Sequence, residues 1–260
     1  MTLDRTALCA EITDIAIAAG AVILEIYNRD FEVGTKDDAS PVTEADVAAE
    51  KLILERLAVI TPDIPVLAEE SVDAGRIPDL SGGIFWLVDP LDGTKEFVHK
   101  RGEFTVNIAL VENGKPTMGV IHIPAKNITY YAFGPGNAWV INGSDTPRRI
   151  QTRAVPDEGY TVVASRSHRT PETDAFIENY KVAELISAGS SLKLCLVAEG
   201  KADLYPRMGR TMEWDIGAGQ AILEAAGGVV ETLDGAPLHY GKEGHDNPHF
   251  VAKGKASKLD

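Results

Sequence analysis

Apolar residues at Leu8, Ile12, Ile15, Ala19, Val22 and Ile26 recur in alternating steps of four and three, the spacing of one helix face turned toward a core. A second helix is predicted to begin at Thr43 and to bury Ala49, Leu52, Ile53 and Leu57. Six apolar runs follow, at 64–68, 85–88, 105–111, 117–123, 128–133 and 138–141, each with the length and residue content of a strand. Glu112-Asn113-Gly114-Lys115 and Gly134-Pro135-Gly136-Asn137 have the composition of hairpin turns, so the first half is predicted to hold a mainly antiparallel sheet.

After Arg148 the pattern changes. Strands are predicted at 160–164 and 182–186, a helix over 190–199 closed by Gly200, and a helix over 214–226 stopped by Gly227-Gly228. That alternation predicts an α/β half packed on an α+β half, with the boundary between Thr146 and Tyr160. The expected domains are residues 1–152, carrying most of the candidate chemistry, and 153–260, completing the site.

One apolar run ends in charge. Residues 85–97 read FWLVDPLDGTKEF, so a buried strand leads straight into Asp89 and, three residues on, Asp92. Pro90 keeps Asp89 out of helical geometry, and Asp92-Gly93 is a turn dipeptide expected to fold the second carboxylate back toward the first. Two carboxylates this close repel unless a cation lies between them, and an all-oxygen ligand set suits Mg2+ or Ca2+ rather than zinc. Gly93 has no side chain, so its N–H and that of Thr94 are free to approach an anion. An isolated Asp-Gly-Thr is better explained as a surface turn with a helix cap. A buried strand running into it is not, because charge at the rim of a core is costly and turn chemistry does not require it.

The same stretch resembles the signature of the inositol monophosphatase superfamily, Mg2+-dependent and lithium-sensitive phosphatases. Three further segments are similar to that family's motifs and in its order: KDDASPVTEAD at 36–46, IPVLAEE at 64–70 and WDIGAGQAILEAAGG at 214–228. Together the motifs span residues 36–228, most of the chain. DGTKEF, then GEFTVNIALV at 102–111, SRSH at 165–168 and GSSLKLCLVAEGKADLYPR at 189–207 resemble the CysQ branch. Members of that branch are 3'(2'),5'-bisphosphate nucleotidases, which take the 3'-phosphate from 3'-phosphoadenosine 5'-phosphate.

The resemblance implies a layered αβαβα sandwich, two or three Mg2+ ions, and a role for each matching residue. Asp89 would bridge two ions, Asp92 would hold the second, and the Leu91 carbonyl and Glu69 would complete the first. Asp215 would add a ligand from the second domain. Asp46 would accept a hydrogen bond from the Thr94 hydroxyl, so that Thr94 and Glu69 orient and deprotonate the attacking water. Gly93, Thr94, Lys36, Ser165, His168, Ser190, Lys193, Arg207 and Asp215 would meet the substrate, with Ser190 and Ser191 ahead of a helix whose N-terminus favours anions.

The residues taken alone leave other readings open. Thr43-Glu44-Ala45-Asp46 has the form of a capping box, Asp215 opens a helix where a carboxylate caps free N–H groups, and Glu70 reads as a solvated strand-end acid. Lys36 fits an ordinary surface lysine and SRSH an ordinary polar loop. Thr94 as nucleophile is disfavoured, since no histidine or lysine base has a nominating spacing, and no His or Cys pair has zinc-ligand spacing.

Charge narrows the partners. Thirty-nine acidic residues against 25 basic ones give a net charge of −14, which opposes nucleic-acid polymers and anionic membranes. A small phosphorylated nucleotide remains compatible where metal ions and a few basic residues invert the local field. Cys9 and Cys195 are the only cysteines, each in an apolar helical setting, which predicts buried thiols and a reducing, cytoplasmic compartment. The apolar run at 15–24 is shorter than the roughly 18 residues of a membrane span, and Asp4, Glu11 and Asp14 precede it, against a signal peptide. Oligomeric state stays open.

The expected reaction is Mg2+-dependent hydrolysis of the 3'-phosphomonoester to AMP and phosphate by in-line attack of water. By resemblance it would clear the by-product of sulfate activation. The rivals are an inositol-phosphate or other sugar-phosphate phosphatase, and a metal-dependent protein that binds an anionic metabolite without turnover.

Overall fold

The computed structural model describes residues 4–35, 41–166 and 169–254. Its elements begin with α1 (Arg5–Tyr27), the paired short strands β1 (Val33–Thr35) and β2 (Pro41–Thr43), α2 (Glu44–Ile60), β3 (Val66–Ala68) and α3 (Glu69–Asp73). Next come β4 (Ile84–Asp92), α4 (Thr94–Val98), β5 (Thr105–Glu112), β6 (Lys115–Ile123), β7 (Ile128–Ala132), β8 (Ala138–Asn142) and β9 (Arg148–Arg149). The remainder is β10 (Tyr160–Ser165), α5 (Pro171–Ile177), β11 (Val182–Ala188), α6 (Leu192–Ala198), β12 (Leu204–Arg207), α7 (Glu213–Ala225), β13 (Val229–Thr232) and β14 (Phe250–Lys253).

Alternation along the strands builds the layers. In β4, Trp86 and Val88 face one way and pack with Ile12 of α1 and Ile53 and Leu57 of α2. Phe85 and Leu87 face the other way and pack with Leu194 of α6 and Ile216 and Ile222 of α7. The strand is apolar on both faces because helices cover both. β4 belongs to a seven-stranded sheet, ordered β3-β4-β5-β6-β7-β8-β9 and antiparallel except for the β3 to β4 pair. Beyond α6 and α7 lies a five-stranded sheet, ordered β11-β10-β12-β14-β13, with Val163, Tyr205, Val230 and Phe250 in the same apolar cluster. Its outer face packs Val162, Leu204 and Val251 against Ile177 of α5. Helices, sheet, helices, sheet and helix give the five layers. The first sheet ends at Arg149 and the second begins at Tyr160, and a single cluster runs through both from Leu67 to Ala252.

Several elements differ from expectation. β12 was hidden by Pro206, which lies within it and pairs with Val251 of β14. α3, α4, α5, β9, β13 and β14 have two to seven residues, too few to show a period. The helix predicted from residue 190 starts at Leu192, because Ser190 is left-handed at φ 45°. By length and composition α1 is apolar enough to cross a membrane, although the run at 15–24 alone is too short. Its Ile12, Ile15, Ala16, Ala19 and Ile23 are at most 2 % exposed, so that apolarity is taken up by the core.

α7 lies unusually close to the first sheet. A Cβ on Gly119 of β6 would fall 2.4 Å from the Ala218 carbonyl oxygen, and one on Gly217 would fall 2.7 Å from Leu87 Cδ2. Backbone therefore touches backbone where the helix crosses the sheet. Gly119→Ala is expected to cost about 1–3 kcal/mol, read as a lower urea midpoint, and to displace the start of α7.

Candidate active site

Glu69 and Asp89 leave the first sheet side by side. β3 and β4 are parallel with Ala68 opposite Val88, and the next residue of each strand is the acid. Asp89 lies opposite Asn107 and Asp92 opposite Thr105, so three steps along β4 match two along β5. In a regular strand an odd step sends two side chains to opposite faces; the extra residue at Pro90-Leu91 returns both aspartates to the same face. This corrects the sequence expectation. The convergence arises from a bulge inside β4, where a proline is tolerated, and not from the Asp92-Gly93 turn. Gly93, at φ 89°, opens α4, and a Cβ there would lie 3.2 Å from both the Glu103 carbonyl and Ser190 Cβ.

Leu91 has a divided role. Its side chain packs into the α1 and α2 cluster, its N–H donates to Asp89 Oδ1 at 3.0 Å, and its carbonyl lies 3.3 Å from Thr94 Oγ1. Asp46 Oδ1 is also 3.3 Å from Thr94 Oγ1. The other oxygen of Asp46 accepts the Thr43 N–H at 2.8 Å and the Thr43 hydroxyl at 2.7 Å. The capping role and the link to Thr94 thus use different oxygens of one carboxylate.

From the far side, α6 and α7 complete the arrangement. Asp92 Oδ2 accepts the Ser191 N–H at 2.6 Å, and Ser191 Oγ lies 2.8 Å from both Asn107 Oδ1 and Thr105 Oγ1. This buried polar network was not nominated by sequence reasoning. Its signal was present as Thr105 and Asn107 on the same strand face as Ala109 and Val111, two polar positions in an otherwise apolar stripe. Asp215 is half-buried and caps α7, accepting the Met212 N–H at 2.9 Å.

A cleft of about 380 Å3 is lined by Glu69, Asp92, Thr94, Lys193, Arg207 and Asp215, with Gly93, Ser165 and Ser190 also on its wall. Asp89 and Asp46, 1 % and 3 % exposed, stand behind that wall. Lys193 is buried, donates to the Ser190 carbonyl and lies 5.3 Å from the Tyr205 ring centre. Arg207 donates to the Arg210 carbonyl at 2.9 Å, while its Nε and Ser190 Oγ are buried and have no hydrogen-bond partner among the described residues. Lys36 and His168, expected at the substrate, lie outside the described residues. Glu70, read from the sequence as a solvated acid, is half-buried, and carboxylate oxygens of Glu69, Glu70 and Asp73 lie within 4.8 Å of one another.

Electrostatics mark the convergence. Burial first, then the charges of Asp92 and Glu69, push Asp215 up to about 8. Burial raises Asp92 as well, opposed by Lys193 and the Ser191 N–H. Burial brings Lys193 down to about 8 against the pull of Asp92. Glu69, Asp92 and Asp215 on the cleft, with Asp89 and Leu91 buried beside Asp92 along β4, offer oxygen donors only, the kind that suits hard divalent cations.

Between pH 3.8 and about 8, the folded protein without cations holds a proton on Asp215 that the unfolded chain releases. This contribution to stability is present at the acid end and is lost as pH rises through about 8. A divalent cation held by Asp215 would take the place of that proton, so the rise in Tm on adding Mg2+ is expected to grow with pH across the window. Differential scanning fluorimetry of wild type and Asp215→Asn checks it; a pH-independent rise in the wild type speaks against it.

Residues 4–257 match the inositol monophosphatase family. The chain is 45 % identical to the 3'(2'),5'-bisphosphate nucleotidase CysQ of Salmonella typhimurium over 243 residues, 92 % of this chain and 97 % of that one. Against the Escherichia coli K12 enzyme of the same name, identity is 43 % over the same shares. The crystal structure of CysQ from Bacteroides thetaiotaomicron superposes with a TM-score of 0.82 at 41 % identity, covering 96 % of this chain and 97 % of that chain. An inositol monophosphatase from Anabaena gives a TM-score of 0.76 at 26 % identity, covering 97 % and 93 %. With its layers, its clustered acids and these relatives in agreement, the chain belongs to the inositol monophosphatase family.

Proposed function

We propose that the chain is a Mg2+-dependent 3'(2'),5'-bisphosphate nucleotidase that hydrolyses 3'-phosphoadenosine 5'-phosphate to AMP and phosphate. The observation that carries the reading is a single cleft lined both by acids, Glu69, Asp92 and Asp215, and by the buried cations Lys193 and Arg207. A monophosphate with a neutral polyol needs only the acids and the cations they would hold. A second phosphate gives Lys193 and Arg207 a purpose, and relatives named CysQ at 43–45 % identity support that choice.

The residues divide the work. Glu69, Asp89, Asp92, Asp215 and the Leu91 carbonyl would hold the cations, two or three in number. When bound, Mg2+ supplies charge neutralisation and makes a nearby water more acidic. Thr94 Oγ1, 3.3 Å from Asp46 Oδ1, would give that carboxylate its proton and keep a lone pair for a hydrogen of the attacking water, the Leu91 carbonyl being left to a cation. Glu69, across the cleft, takes part in removing that water's proton. The water oxygen forms the new bond to phosphorus as the bond to O3' breaks, and the leaving oxygen takes up a proton to become the ribose hydroxyl. The Gly93 and Thr94 N–H groups hold phosphoryl oxygens, with Gly93 leaving room for them. Ser165, Ser190, Lys193 and Arg207 meet the rest of the nucleotide, where Ser190 Oγ and Arg207 Nε have no partner among the described residues. Lys36 and His168 are assigned to the same substrate on sequence grounds. A cytoplasmic setting is part of this reading, supported by two buried free thiols, Cys9 and Cys195.

Phosphate release from 3'-phosphoadenosine 5'-phosphate and from inositol 1-phosphate, with and without Mg2+, tests the assignment. Turnover is expected with the nucleotide, only with Mg2+, and to vanish in Asp89→Asn. Preference for inositol 1-phosphate, or turnover in Asp89→Asn, contradicts it. Arg207→Ala is expected to lower kcat/KM for the bisphosphate about 10- to 100-fold, as losing a charge-assisted bond does, and to affect adenosine 3'-monophosphate far less.

A further inference from the structure

Glu50 takes no part in the roles above, yet it is a carboxylate only 3 % exposed on the core-facing side of α2. Its Oε2 accepts the Glu70 N–H at 2.8 Å and its Oε1 accepts the Ser71 hydroxyl at 2.7 Å. The Ser71 oxygen also lies 3.3 Å from Arg76 Nη2.

Those bonds land on the element that presents Glu69. α3 begins at Glu69, and its N-cap residue is Ala68, which has no side-chain oxygen for the free N–H groups of the first turn. Glu50 supplies that oxygen from another helix. A serine or aspartate at residue 68 would cap α3 locally, whereas burying a carboxylate on α2 is costly and ties two separate elements together. The Glu70 amide belongs to the peptide plane that starts at Glu69, so holding it fixes the backbone from which the Glu69 side chain leaves.

Asp46 precedes Glu50 by four residues, about 6 Å along the same helix face. One turn of α2 holds Thr94 through Asp46, and the next holds α3 through Glu50. We infer that Glu50 is a positioning residue: through the Glu70 amide and Ser71 it fixes Glu69 relative to Thr94, making α2 the spacer between the two groups that act on the attacking water. The inference rests on the assignment of Glu69 under the proposed function.

The test uses the full chain as Glu50→Ala, Glu50→Gln and Ser71→Ala, with Glu69→Gln as reference. Mg2+ affinity is measured by calorimetry, kcat and KM with the bisphosphate, and Tm without Mg2+. Glu50→Ala is expected to weaken Mg2+ binding and lower kcat about 10- to 100-fold each, the usual effect of losing a group that orients a ligand, with KM little changed. Glutamine still accepts from the Glu70 amide, so Glu50→Gln is expected to recover most of both losses. A folded Glu50→Ala with normal Mg2+ affinity and kcat, or a Glu50→Gln as impaired as Glu50→Ala, overturns the inference. Should Glu50→Ala not fold, Ser71→Ala decides: about threefold weaker Mg2+ binding is expected from one lost hydrogen bond, and unchanged binding overturns it. An active Glu69→Gln removes the assignment of Glu69 itself, whereas an inactive one beside normal Glu50→Ala and Ser71→Ala removes only the role of Glu50.

Discussion

Mutual repulsion among carboxylates is the constraint on which this structure depends. Glu69, Asp92 and Asp215 share one cleft with Asp89 just behind it, and burial strips away the water that would screen them. Left to themselves such groups separate or take up protons, as the raised pKa of Asp215 records. They stay together because each is attached to a stiff element: Glu69 follows the end of β3, Asp89 and Asp92 flank the bulge in β4, and Asp215 lies in the first turn of a packed helix. The energy of the fold, drawn from apolar layers on either side of the first sheet, is what holds charge in an arrangement that favours divalent cations.

The backbone devices that do this are local and few. A parallel pair sets Glu69 beside Asp89, and one extra residue in β4 turns Asp92 to the same face. Glycines at 119 and 217 let α7 approach until Asp215 reaches the other acids. A buried network of Thr105, Asn107 and Ser191 then fastens Asp92 to the start of α6. Because α6 and α7 lie between the sheets, acids of the first sheet and the cations Lys193 and Arg207 line a single cleft. That combination suits a substrate carrying phosphate at two places.

Much of the plan was legible in the sequence. The long helices at the start of the chain and the strand runs from 64 to 141 appear in the fold because their periods extend over enough residues to be distinctive. The end of β4 announced itself through charge beside an apolar run. What escaped was short or masked by composition: β12 with Pro206 inside it, and the short helices α3, α4 and α5. Asn107 and Glu50 were passed over for a different reason. Each is a polar residue on an otherwise apolar face, a position whose meaning depends on which element packs opposite.

By itself the sequence determined which residues have chemistry to offer, since a carboxylate or a glycine keeps its properties wherever it stands, and which segments must be buried, since period and apolarity are properties of the segment. Only the tertiary structure decided how those residues meet. That Asp46 serves both Thr43 and Thr94, that Glu50 caps a helix outside its own, and that a bulge rather than a turn aligns Asp89 with Asp92 are all facts of register and packing. The bonds from Glu50 to Glu70, Asp46 to Thr94 and Asp92 to Ser191 join residues 20, 48 and 99 positions apart, and no local propensity encodes a distance of that kind.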